Sequence, residues 1–239
     1  MLAVADKDKR RAVQDSISYY NEIAAHYNRV LLGDASNLPV RQRVKEKLLG
    51  LLKSGTVLDF GAGTGLDLHW MTANYQVFFC EPSVAMRAKA IQYNNDSLRS
   101  DNIVFLDGAA TDFNTWQETL PFPQKADAIL SNFGPVNCIP NIGLLFNRLA
   151  LAIKPGGHCL LLLLDLGFRK RLKWHRRNAL LSLLPGRPFE MYLREGPYRQ
   201  TVYLHTPAAI KKAAAPYFNY CSHEPLGGFG FTLFHLTRK

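Results

Sequence analysis

Val57-Leu58-Asp59-Phe60-Gly61-Ala62-Gly63-Thr64-Gly65-Leu66 is the stretch that decides the fold. An apolar run carries one acid, turns through three glycines on alternate positions, and returns to apolar residues. The run predicts a strand, and the residues from Leu66 predict a helix. Glycines between them permit a left-handed backbone and let a ligand approach the main chain closely. Two common phosphate binders are excluded. The last glycine of a G-x-G-x-x-G dinucleotide fingerprint would fall at residue 66, which is Leu66, and no Gly-Lys-Ser/Thr follows. Asp59 adds a sign: a carboxylate two residues before Gly61 repels a pyrophosphate and favours a cation such as an ammonium or a sulfonium.

Outward from this loop, short apolar runs alternate with helical stretches. Strands are predicted at Thr56–Phe60, Gln76–Cys80, Ile103–Leu106, Ala126–Leu130 and Cys159–Leu164, with helices at Leu66–Ala73, Val84–Tyr93 and Ile142–Ile153. The strands are continuously apolar rather than alternating, so both faces are buried, as in a parallel sheet covered by helices. Lys154-Pro155-Gly156-Gly157 reads as a turn into the fifth strand. Thr206-Pro207 starts a helix to Ala215 as cap and first residue, and Asn219–His223 and Phe229–Leu236 close the sheet. The expectation is an α/β, Rossmann-like, seven-stranded, mostly parallel sheet with helices on both faces.

Glu81 ends the second strand, 22 residues after Asp59. A carboxylate there can accept hydrogen bonds from both hydroxyls of a ribose. Together, Asp59-Phe60-Gly61-Ala62-Gly63-Thr64-Gly65 and Glu81-Pro82-Ser83-Val84-Ala85-Met86 resemble motif I and the second-strand motif of class I S-adenosylmethionine-dependent methyltransferases. The resemblance covers residues 18–165 well and 206–239 more loosely. It is nearest to the small-molecule group that includes the ubiquinone and menaquinone biosynthesis methyltransferases.

This resemblance implies S-adenosylmethionine as cofactor and one methyltransferase domain over residues 1–239. Within it, residues 12–53 would be a helical cap, 54–166 the cofactor-binding core, 167–204 a substrate-lid insert, and 205–239 the closing helix and strands. Asp59, Gly61, Ala62, Gly63 and Gly65 would meet the amino-acid end of the cofactor, with Asn132 at the fourth strand end. Glu81 would hold the ribose, and Pro82 and Met86 would lie by the nucleoside. The family's adenine motif, Gly-Asp-Ala, is here Gly108-Ala109-Ala110, so its carboxylate is missing. Ala109 and Ala110 keep only backbone contacts, and Asp107 or Asp112 is left as a substitute.

The first helix carries Tyr20-Asn21-Glu22-Ile23-Ala24-Ala25-His26-Tyr27-Asn28, which resembles the group's Tyr-Asp…Tyr-Asp cap segment with Asn in place of both acids. Apolar spacing runs unbroken from Ala12 to Leu31, and the first ten residues read as polar and frayed. By resemblance Tyr20 and Tyr27 face the substrate, as does Phe133. Ser131-Asn132-Phe133-Gly134 is not the Asn-Pro-Pro-Tyr type motif of base amino methylation, and no Pro-Cys pair is present. No catalytic residue is assigned; His175 and His205, flanking the insert, are the histidines expected near the substrate.

Composition sharpens the partner question. The 239 residues carry Lys+Arg 29 against Asp+Glu 19, a net +10, with 47% hydrophobic residues. Nine cations between Phe168 and Leu204 face only Glu190 and Glu195, so +7 of that charge sits in one segment. A basic amphipathic helix over 168–184 would overhang the substrate pocket. It suits an anionic substrate, carrier or membrane surface. Few aromatics interleave it, which argues against nucleic acid. The four cysteines form no C-x-x-C, so no metal site is expected, and Cys80 and Cys159 read as core. The expected compartment is the cytoplasm, since no signal peptide is visible.

The expected function is methyl transfer to the oxygen, nitrogen or carbon of a small acidic or lipid-like metabolite. An RNA methyltransferase and a non-catalytic cofactor-binding module are the alternatives.

Overall fold

The computed structural model describes residues 2–94, 101–166, 172–173, 176–181, 188–226 and 230–239. Its centre is a seven-stranded sheet. The strands are β1 (Gly55–Phe60), β2 (Tyr75–Cys80), β3 (Ile103–Phe105), β4 (Ala126–Ser131), β5 (Ile153–Leu164), β8 (Phe218–Leu226) and β9 (Phe231–Arg238), in the order β3-β2-β1-β4-β5-β9-β8. Strands β1 to β5 pair in parallel, and β9 pairs antiparallel with both neighbours. A separate hairpin, β6 (Phe189–Glu195) and β7 (Tyr198–Leu204), is inserted after β5.

The continuous apolar strands are explained by burial on both faces. Leu58, Phe78, Ile129 and Leu161 point into one core cluster with α6 (Ile142–Ala152) and α8 (Pro207–Ala214). Their neighbours Val57, Val77, Ala128 and Leu160 point into the other, with α3 (Asn37–Leu51) and α4 (Leu68–Met71). Ala90 of α5 (Val84–Tyr93) joins that second cluster. Caps set several helix starts: Ser83 accepts from the Met86 amide, Asn141 from Leu144, and Thr206 from Ala209, with Pro207 next.

Several expectations are corrected. Helix α1 (Leu2–Ile23) includes nearly all of the N-terminal residues expected to fray. The single helix expected to Leu31 breaks at Ala24–His26, and α2 (Tyr27–Gly33) follows. Apolar spacing of three and four passes through such a break unchanged, so periodicity alone does not reveal it. Within the segment 12–53, α3 packs on the sheet through Val40, Val44 and Leu48. Lys154-Pro155-Gly156-Gly157 lies inside β5, at a register shift against β4, rather than before it. Of the helix expected over 168–184, the described residues include α7 (Arg176–Leu181). Residues 172–173 are also helical, and the rest, with Trp174 and His175, lies outside the described residues.

The roof of the molecule is made of distant segments. Helix α1 packs on β7, β6 and α5. Tyr19, Ile23 and Ala24 form a small cluster with Met86. Phe189, Val202 and Leu204 of the hairpin cluster with Ala179 of α7.

Candidate active site

In the order β3-β2-β1-β4-β5 the chain departs from β1 to one side for β2 and to the other for β4. The crevice at their carboxyl ends is where open α/β sheets bind ligands. The glycine loop after β1 lies there. Gly61 has φ +71, and a Cβ on it would fall 2.4 Å from the Cβ of Pro135, in the loop after β4. Only glycine lets the two strand-end loops close to this distance. Gly65 serves packing instead: a Cβ there would meet Leu68, Asn94 and Ala90.

Two cavities open on this edge and share Tyr27, Gly61, Gly63, Asn132 and Phe133. The smaller is charged. Asp59, Asp67 and Arg41 line it, with Ala62 and Thr64. Asp67 is held from three sides: Arg41 at 2.5 Å, the Asn132 amide at 2.9 Å and the Trp70 indole at 3.0 Å. Asp59 is 3% exposed, and its carboxyl is pushed well above the usual range. Burial is the main cause; the Asp67 and Glu81 carboxylates reinforce it, and Arg41 opposes it. Arg41 also lies 4.7 Å from the Phe133 ring centroid.

The larger cavity is mostly apolar. Ile17, Tyr20, Phe60, Pro82, Met86, Thr111, Phe113, Pro135, Cys138 and Ile139 contribute to its wall, with Ser16 and Glu81 as polar points. Glu81 accepts from the Gly63 amide at 2.9 Å and the Ser83 amide at 2.8 Å, which ties the ends of β1 and β2 together. Burial raises its carboxyl to about 7, against the lowering effect of these two amides and Arg87.

The cap is fastened over the crevice by the two asparagines. Asn28 Oδ1 accepts from the Thr64 hydroxyl. Asn21 Oδ1 accepts from the Ser83 hydroxyl at 2.7 Å and the Ala85 amide at 3.1 Å, at the start of α5. The Tyr20 and Tyr27 rings meet edge to face, centroids 6.0 Å apart.

Structure thus brings together Asp59, Gly61, Ala62, Gly63, Glu81, Pro82, Met86, Asn132, Phe133, Tyr20 and Tyr27. Other expected residues stand apart. Ala109 and Ala110 line neither cavity, because the Trp116 indole takes the Ala110 carbonyl at 3.0 Å; Thr111 and Phe113 form the wall instead. Asp107 is tied to Arg87 at 2.8 Å and caps its own turn, and Asp112 accepts from the Asn114 amide. His205 is a correction. It is buried with Nε2 donating to the Ile139 carbonyl, and burial lowers its pKa to about 4, so it is a neutral structural residue. Arg41, Asp67, Ser16, Cys138 and Gln200 were not found by sequence reasoning, and Asn28 and Thr64 were quoted within motifs but given no role. Only the motif positions of Asn28 and Thr64 carried a local signal.

A family model described as "Methyltransferase domain" matches residues 35–211. The chain belongs to that family, and with this sheet order it is a class I S-adenosylmethionine-dependent methyltransferase. Solved structures share the fold. DhpI, solved with SAH, has a TM-score of 0.69 at 15% identity over 95% of this chain and 96% of its own. The PH0226 protein from Pyrococcus horikoshii OT3 gives 0.57 at 18% identity over 90% and 99%. The glycopeptide N-methyltransferase MtfA, with S-adenosyl-L-homocysteine, gives 0.60 at 16% over 82% and 89%. No curated protein matches the chain in sequence. Among the described residues no helix is long and apolar enough to cross a membrane, and no group of three metal-ligating side chains is found.

Proposed function

We propose that the protein transfers a methyl group from S-adenosylmethionine to a small, largely apolar metabolite enclosed beneath α1. The observation that carries this reading is the pair of joined cavities, one charged and one apolar, meeting at Gly61, Gly63 and Asn132. When bound, S-adenosylmethionine supplies a sulfonium-activated methyl group. The chain's residues fit it from end to end. Arg41 suits an α-carboxylate, and Asp59, Asp67 and the unpartnered Asn132 Oδ1 suit an α-ammonium. Buried acids crowded together without full compensation favour a cation over a neutral ligand. Glu81 offers its carboxylate to ribose hydroxyls, and Pro82, Met86, Thr111 and Phe113 cover the base. Displacement at an activated methyl requires alignment more than acid–base chemistry. Tyr20, Tyr27, Phe133 and Cys138 shape the space in which an acceptor would be aligned and kept from water.

DhpI was also solved as a SAM–HEP complex, and MtfA is a glycopeptide N-methyltransferase. A family with such different acceptors leaves specificity to the walls of each pocket. Calorimetric titration with S-adenosylmethionine, followed by label transfer from its methyl group into a small-molecule extract, tests the reading. Micromolar binding and a labelled small product are expected. A folded protein that binds neither S-adenosylmethionine nor S-adenosylhomocysteine overturns it.

A further inference from the structure

The roof end of the apolar cavity has a polar terminus that cofactor binding does not use. Ser16 and Tyr20 of α1, Cys138 after β4, and Gln200 of β7 converge there. Gln200 Nε2 donates to Cys138 Sγ at 2.8 Å and to the Tyr20 oxygen at 3.3 Å, and the Cys138 thiol lies 3.9 Å from that oxygen. Gln200 is 1% exposed and Ser16 4%.

Both side chains keep hydrogen-bonding capacity that the protein leaves unfilled, although the Ser16 hydroxyl lies beside the Cys138 thiol and interacts with it. Five buried side-chain polar atoms among the described residues have no partner: Ser16 Oγ, Ser131 Oγ, Asn132 Oδ1, Arg148 Nε and Gln200 Oε1. Ser16 and Asn132 line the cavity, and Gln200 touches two residues that do. The Gln200 deficit does not depend on which way its amide is turned. Reversed, Oε1 would accept from the tyrosine and the thiol, and the NH2 would be the end left unpaired. A buried polar group without a partner is costly to the fold. Two of them at one end of an apolar pocket are what a ligand's hydrogen-bonding group would satisfy.

The charge of that group follows from its surroundings. Among the described residues no lysine or arginine lines this cavity. Burial holds the Tyr20 phenol well above its usual range and the Cys138 thiol at about 11, so both are neutral at physiological pH. Serine and glutamine carry no charge. An anion placed here would lose its hydration and meet no countercharge, which burial penalises heavily.

Resting on the methyltransferase reading above, we infer that Ser16 and Gln200 are specificity residues that select a neutral acceptor, one with an apolar body and a hydroxyl or amide that hydrogen-bonds to both. The acidic half of the substrate expectation is dropped at this site. Gln200 comes from the inserted hairpin and stands directly behind Tyr20 and Cys138, so the insert would meet the acceptor through a neutral amide at the cavity's end.

The test uses the full-length protein saturated with S-adenosylhomocysteine and three probes of matched body: 4-phenylbutan-1-ol, 4-phenylbutanoate and 4-phenylbutylphosphonate. Calorimetry is expected to rank the alcohol at least tenfold tighter than either anion. Gln200→Leu should weaken the alcohol about tenfold and leave S-adenosylhomocysteine affinity within twofold. Ser16→Ala, a milder change, should weaken it severalfold and guards against a Gln200 variant that fails to fold. An anion that binds as well as the alcohol overturns the inference, as does absence of alcohol binding or an alcohol affinity unmoved by both variants. Failure of S-adenosylhomocysteine to bind wild type sinks the methyltransferase reading instead and is seen before any probe is added.

Discussion

The floor of the crevice and its roof are built on opposite principles. The floor comes from strand ends and the turns after them, with Arg41 of α3 beside them, and its groups are ionisable: Asp59, Asp67, Glu81 and Arg41. The roof comes from α1 and the hairpin β6–β7, and the groups it turns inward are neutral: Ser16, Tyr20 and Gln200. Floor contacts tie strand ends to the turns beside them, and the Asn132–Asp67 hydrogen bond spans 65 residues. The roof contact between Tyr20 and Gln200 spans 180 residues. A rigid floor of ionisable groups suits the invariant part of a reaction. A neutral roof from an insert suits the part that changes with the acceptor.

The largest effect should follow from disturbing the floor's backbone. Gly61→Ala forces a Cβ into Pro135 and an L-residue into a left-handed conformation. Overpacking costs about 1–3 kcal/mol and left-handed backbone about 1–2. A loss of about 4 kcal/mol in urea denaturation and loss of S-adenosylmethionine binding are expected. A stable, binding-competent variant would break the picture of a rigid floor.

Next comes the pH dependence of the ligand-free protein. Glu81 keeps its proton up to about pH 7 in the fold but only to its ordinary 4.5 when unfolded. The folded state therefore holds more protons between those values, and stability falls as pH rises through that window. The drop attributable to Glu81 is on the order of 3 kcal/mol. In Glu81→Gln the urea midpoint should change less between pH 4.5 and 7 than in wild type. An equally steep fall in the variant would contradict the assignment.

Asp59→Asn should separate binding from stability. It relieves crowding among three carboxylates, so the ligand-free protein melts higher. It also removes a countercharge, so S-adenosylmethionine binds about 10- to 100-fold more weakly. Calorimetry and thermal melts on the same sample check both signs. A fall in both quantities would make Asp59 structural.

The smallest effect belongs to the roof's fastening. Asn28→Ala removes the hydrogen bond to Thr64 and should cost about 1 kcal/mol. Faster dissociation of S-adenosylhomocysteine by stopped flow is expected, with its on-rate unchanged. An unaltered off-rate would mean that the roof does not retain the ligand.

What was legible in the sequence follows the same division. The strands were readable because burial on both faces leaves no polar alternation, and Val84–Tyr93 because Ser83 caps it. The placing of Asp59, Gly61 and Glu81 at one crevice was readable because each lies at the carboxyl end of one of two adjacent parallel strands. Asp67 was passed over because a lone acid after a glycine turn has no spacing to mark its ties to Arg41 and Asn132. Ala110 stands outside the cavity walls, and its carbonyl is taken by the Trp116 indole six residues on, a tie that nothing in the local sequence marks. His205 looked available beside the insert, but burial against Ile139 neutralises it. Gln200 carried no signal: a glutamine in a strand acquires meaning only when a helix 180 residues earlier folds against it.

That last separation has a consequence in time. Synthesis proceeds at about 5–20 residues per second. The 180 residues between Tyr20 and Gln200 therefore place β7 on the order of 10–40 s behind α1. During that interval the side of α1 that packs on β6 and β7, with Tyr20, has no hairpin to rest on. A segment made well before its partner is thus late to find its place, and until then the nascent chain carries a surface that chaperones or neighbouring chains would meet.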